Sequence, residues 1–143
     1  MQIEKYMGRL SGPLLDRIDL HVEVPTVAFQ DLSAKADGTP SAAMREQVYI
    51  ARAIQADRFA GSATRLNGRM SGRLLRKHCV VDEAGRLMLQ NAMDKLGLSA
   101  RAHDRILRMA RTIADLEGTD NIQERHVSEA IGYRSLDRKL WKR

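Results

Sequence analysis

A single stretch of this chain has the period of a β-strand, and one strand cannot stand alone. Residues 18–24, Ile18-Asp19-Leu20-His21-Val22-Glu23-Val24, alternate apolar and polar without a miss, and Pro25 closes the run. The backbone donors and acceptors of a strand need a neighbour on at least one side. Everything from residue 41 onward has the spacing of helices instead. The expected fold is therefore mainly α. A bundle of four to five helices over 41–136 follows a short helix over 2–10 and one strand, a remnant of the end of a larger α/β core. Residues 1–30 are expected to be poorly ordered by themselves, 31–40 (with Asp37-Gly38 and Thr39-Pro40 turn signals) form a linker, and 137–143 form a basic, frayed tail.

The helical part is punctuated by caps. Ser41 is placed to cap a helix whose apolar face is Met44, Val48, Ala51 and Ile54, ending near Gly61. A short helix is predicted around 71–78. Asp82 suits the N-cap of the next, with Leu87, Met88, Leu89, Ala92, Met93 and Leu96 as its stripe, Gly97 as its stop and Leu98 as the contact that accompanies a glycine C-cap. Ser99 opens the best amphipathic segment, SARAHDRILRMARTIADLEG, which Gly118 ends; a last helix is predicted over 123–133. The predicted core is Leu87, Met93, Ile106, Leu107, Met109, Ile113, Val127 and Ile131.

Composition narrows the chemistry. A length of 143 residues suits about one domain, and a lone cysteine, Cys79, allows no internal disulfide. No long apolar run is present, so the expectation is a cytoplasmic protein without a membrane partner. The four histidines are scattered and no ligand spacing appears, so no metal site is expected. A net charge of +6 admits a polyanionic partner, while 4% aromatic residues argues against a stacking binder of single strands.

Two arginines stand out. Arg17 sits between Asp16 and Asp19 at the entrance to the strand-like run, where a turn can aim a long cation outward; an Arg-Asp pair tidying a strand end is the alternative. On the Ser99 helix, Arg101, Asp104, Arg105, Arg108 and Thr112 gather on one side at about 100° per residue, with Arg111 at the margin. A solvated face with an Asp104–Arg108 pair would explain this. Arg101 fits that reading less well, because a cation in the first turn opposes the helix dipole. Either a phosphate or a nearby carboxylate would offset it.

SGPLLDRIDLHVEVP, the NGRMSGR loop, and LGLSARAHDRILRMARTIADLEG followed by IQERHVSEAIGYRSLDR resemble the C-terminal portion of the magnesium-chelatase-like AAA+ ATPases, in their competence-related ComM subgroup. The resemblance implies that Arg17, within a motif of the form LL-x-R-[IF]-D-L, is similar to an arginine finger reaching the γ-phosphate of ATP on a neighbouring subunit. It implies that Arg101 is similar to sensor 2, a phosphate contact at the start of a lid helix. Arg105 and Arg108 match no ligand position. The implied parent is a ring, hexamer-like, of copies of one protein using ATP and Mg²⁺ to drive a DNA-directed motor, with branch migration in transformation as its activity.

No G-x-x-x-x-G-K-[ST] occurs in the chain, and no apolar strand ends in adjacent acids. Hydrolysis by this polypeptide alone is therefore not expected, nor is tight binding of a cofactor, and it should be monomeric. Two other readings remain at this stage. One is a small basic helical module that binds DNA through Arg101, Arg105, Arg108 and the tail; the other is a subunit-packing domain.

Overall fold

A computed structural model describes residues 38–134, together with 9, 11, 14, 17–27 and 29. Among these residues the fold is a helical bundle. Its α-helices are α1 (Ser41–Arg58), α2 (Gly72–His78), α3 (Glu83–Leu96), α4 (Ala100–Leu116) and α5 (Glu124–Gly132), with a turn of 3-10 helix at Asn67–Arg69 between α1 and α2.

The helix ends form where short polar side chains and glycines stand. The Asp82 carboxylate accepts the Gly85 amide at 2.8 Å, and Glu83 in the first turn complements the dipole. At the far end of α3, Gly97 turns left-handed with φ 60°, and the amides of Gly97 and Leu98 both return to the Met93 carbonyl. Leu98 then packs on the core. Ser99 Oγ accepts the Ala102 amide at 3.2 Å to start α4. Before α5, His126 Nδ1 accepts the Gln123 amide at 3.0 Å.

Helix α4 is the centre of the bundle. Its Ala102, Ile106, Leu107, Ala110, Ile113 and Ala114 are buried, and it packs against α1, the 3-10 turn, α2 and α5, while α3 lies across α5. Ile106 and Ile122 are fully enclosed, each contributing about 1.5–3 kcal/mol of transfer free energy. The approach of α3 to α5 is so close at Gly85 that a Cβ there would stand 3.3 Å from the Glu124 backbone and 2.7 Å from the Val81 side chain. A parallel bridge between Val81 and Ile122 ties the two inter-helix connections together.

Several expectations are corrected. No strand forms over 18–24: residues 18–27 carry no regular structure, and Val22 and Val24 are exposed. Among the described residues the Ile18 carbonyl is taken by an arginine side chain and the His21 amide by a helix-end carbonyl, not by a neighbouring strand. Pro40, not Ser41, is the N-cap of α1, and no side chain caps it. The first half of α1 is open, with Met44 and Val48 each half exposed; Ala51 is where it meets the bundle. Leu87 is 48% exposed. It lies about 200° round the helix from Gly85 and from Leu89, both of which point inward. Met93, Met109 and Ile131 are partly buried against the core, and Ile106, Leu107, Ile113 and Val127 are inside it. The expected helix over 2–10, apart from Arg9, most of the linker and the tail over 137–143 lie outside the described residues. No helix among the described residues is long and apolar enough to cross a membrane.

Candidate functional site: a strap clamped by arginines

Residues 17–21 form a strap laid against the bundle, held by groups distant in sequence. Arg105 Nη1, on α4, donates to the Arg17 carbonyl at 2.7 Å and pairs with the Asp19 carboxylate. Arg134 Nη1, just past α5, donates to the Ile18 carbonyl at 2.5 Å. The His21 amide donates to the Tyr133 carbonyl at 2.8 Å, and the His21 side chain is buried. A cleft of about 340 Å³ between strap and helix is lined by Asp19, Leu20, Gly68, Arg105 and Arg108, among others.

The strap presents Arg17 rather than consuming it. The Arg17 amide donates to the Leu14 carbonyl at 3.0 Å, its own carbonyl is taken by Arg105, and the side chain is exposed, with no hydrogen bond or ion pair to a described residue. Asp19 is drawn to Arg105, so the Arg17–Asp19 pairing that would tidy a strand end is not formed.

The arginines of α4 divide in the same way. Arg108 Nε donates to the Met70 carbonyl at 3.0 Å. Arg111, placed at the margin of the polar side by spacing, is buried; it reaches the carbonyls of Asp120 and Thr119 at 2.5 Å each and the Asp115 carboxylate at 3.1 Å. Arg101 is different. It is exposed in the first turn, with no hydrogen bond or ion pair to a described residue and no acid in that turn. Asp104 is engaged by His103 at 3.2 Å. The dipole cost of Arg101 is therefore not offset by a carboxylate among the described residues.

Beneath this surface a polar cluster fixes α4. Asp115 is fully buried and accepts two parallel bonds of 2.6 Å from Arg58, one of 2.7 Å from Asn67 Nδ2 and the Arg111 contact. Arg58 also donates to Asn67 Oδ1 at 2.8 Å, and the Asn67 amide donates to Gln55 Oε1 at 3.0 Å. Bidentate guanidinium–carboxylate geometry of this kind is both strong and directional, so α1, the 3-10 turn and α4 are locked in one register. Cys79 lies nearby. Burial pushes its thiol up to about 11, outweighing the opposing pull of Arg111, Arg58 and Arg108. His78 is held below its ordinary value, first by burial and then by Lys77, Arg58 and Arg111.

Among the described residues no three His, Cys, Asp or Glu side chains gather to hold a metal ion. A nucleotide fits this chain in part. Two exposed guanidiniums can contact phosphate oxygens, whereas the lysine-bearing phosphate loop and paired acids that would hold ATP and Mg²⁺ are not in the sequence. The Asp19–Arg105 and Arg134–Ile18 contacts escaped sequence reasoning because 86 and 116 residues separate the partners. The buried cluster left one trace, the i,i+4 spacing of Arg111 and Asp115.

A helical bundle built on one central amphipathic helix, with an N-terminal strap gripped from its polar side, is the lid type of domain. Residues 38–134 match the family described as magnesium chelatase, subunit ChlI C-terminal, and residues 1–32 match magnesium chelatase, subunit ChlI; the chain belongs to this family. It is 42% identical to competence protein ComM of Haemophilus influenzae over 99% of its own length and 27% of that protein. It is 41% identical to the protein YifB of Salmonella typhimurium, over 97% of the chain and 27% of that protein. A third relative, Mb2921c of Mycobacterium bovis, is 39% identical over 91% of the chain and 26% of its own length. The chain thus spans about a quarter of the curated relatives it matches.

Proposed function

We propose that this chain is the lid of a ring-forming AAA+ ATPase, and that it supplies two arginines to ATP hydrolysis, Arg17 as the finger acting on a neighbouring subunit and Arg101 as sensor 2. The observation that carries the reading is the contrast among the arginines of the strap and of α4. Arg105, Arg108 and Arg111 are committed to protein acceptors, while Arg17 and Arg101 are exposed without partners among the described residues. A guanidinium aimed at phosphoryl oxygens stabilises charge that develops in phosphoryl transfer, and its planar donors can do so bidentately. ATP and Mg²⁺ belong to the whole protein, whose phosphate loop lies outside this sequence. The partners are further copies of the same protein in a hexamer-like ring.

We place the work of that motor on DNA, with branch migration during transformation as its form, a reading favoured by the competence name of one relative. A DNA-binding face built from Arg101, Arg105 and Arg108 has less behind it, since two of the three already bond within the chain.

The test is a mixing experiment on the full-length protein. A subunit with a dead phosphate loop is combined with an Arg17→Ala subunit, and ATPase is assayed. Recovered turnover is expected, because a wild-type Arg17 then meets an intact nucleotide site across the interface. If both variants assemble and exchange but the mixture stays inactive, Arg17 is not a finger.

A further inference from the structure

We infer that Arg105 is a positioning residue for Arg17, clamping the strap so that the central helix sets the location of Arg17 relative to Arg101; this rests on the reading above. The geometry is specific. A single terminal nitrogen of Arg105 serves both the Arg17 carbonyl and the Asp19 carboxylate, so it grips the residue that carries the finger and the acid two positions on. Arg105 lies one turn after Arg101 on the same face of α4, at a rise of about 6 Å.

The second anchor, formed by Arg134 on Ile18 and by Tyr133 on the His21 amide, stops the strap from swivelling about the first. Among the described residues the strap has no strand partner to hold it. Without the clamp its root would be free to wander, and a displacement of about 1 Å in a catalytic group can cost about 10²-fold in rate. Rotation of the lid would then carry both arginines as one unit.

Two measurements test this. The first needs no catalysis: amide exchange of His21 in the 143-residue chain. In Arg105→Ala, and separately in Asp19→Asn, the His21 amide is expected to exchange at least about tenfold faster while the amides of Ile106 to Ala110 keep their rates. Asp19 is 69% exposed, so its variant leaves the core untouched. Unchanged His21 exchange in both variants overturns the clamp.

The second is steady-state ATPase of the full-length protein. Arg105→Ala is expected to lower kcat by about 10²-fold with KM for ATP kept within about twofold, and to add nothing in an Arg17→Ala background. Normal kcat despite a released strap, or an equal further loss when Arg17 is already absent, overturns the positioning role and leaves the finger intact. Normal turnover in Arg17→Ala alone would instead remove the finger and this inference with it, while His21 exchange would still report on the clamp.

Discussion

Replacing Asp115 by Asn probes the bundle at its most committed point. The carboxylate is fully buried, Arg111 is 3% and Arg58 12% exposed in their side chains, and each carboxylate oxygen receives two donors. Oδ1 takes Arg58 Nη2 and Arg111 Nε; Oδ2 takes Arg58 Nη1 and Asn67 Nδ2. Whichever way the amide of an asparagine turned, its NH₂ would face two donors, and the negative charge balancing two guanidiniums would be gone. Removing one partner from a buried ion pair costs about 3–5 kcal/mol. That is a large share of the roughly 5–15 kcal/mol that holds a domain together.

The assay is urea unfolding followed by far-UV circular dichroism, with stability taken from the midpoint at constant slope. A fall in Tm of at least about 12 °C should accompany it in a domain of this size. Glu83→Gln is the control, since the Glu83–Arg86 pair lies open to solvent with side chains 70% and 60% exposed. Such pairs contribute little. If Asp115→Asn unfolds at the same midpoint as Glu83→Gln, the cluster does not hold the helices, and the register of α1 on α4 must come from apolar packing alone.

Gly85→Ala should destabilise by about 1–3 kcal/mol in the same assay, because the added methyl has to push Val81, Asp82 or the Glu124 backbone aside; an unchanged midpoint would show that α3 and α5 separate freely. Cys79, buried and with its thiol raised to about 11, should resist iodoacetamide at pH 8 in the native chain and react readily in urea; comparable rates in the two states would contradict the packing around it. The Glu117 carboxylate is held below its ordinary value, first by the His126 bond and then by Arg125. A depressed carboxylate stabilises above its unfolded value of 4.5 and loses that contribution as pH falls below it. The Tm difference between wild type and Glu117→Gln should therefore be present at pH 6 and shrink toward pH 3; a gap that widens on acidification would refute it.

How legible this structure was depends on the range of the interactions involved. Asp82, Gly97, Ser99 and Gly118 act within one helical turn, so their types and positions announced the ends of α3 and α4. The core face of α4 was legible for the same reason: six of its seven apolar positions are buried and Met109 is partly so. Periodicity failed on α1, because an apolar stripe says which side could be covered and not how far the cover extends. Met44 and Val48 keep the helical spacing and remain half exposed. The alternation at 18–24 was misleading in another way. It satisfies the pattern of a strand, but a strand also needs a partner, and here arginine side chains take the carbonyls that a neighbouring strand would have met. Arg17 and Arg101 could be singled out from local context, whereas the residue that holds Arg17 could not, since nothing near Arg105 in sequence refers to residue 17.

The bond between His21 and Tyr133 has a topological side. It joins two points 112 residues apart, within 2.8 Å, so the path that enters the bundle and the path that leaves it pass through one neck. Closing a loop of that length costs only slightly more entropy than closing one half as long, about 0.6 kcal/mol, which makes the neck cheap to keep shut. A loop tied off in this way keeps its two ends together while the helices between them are rearranged or replaced.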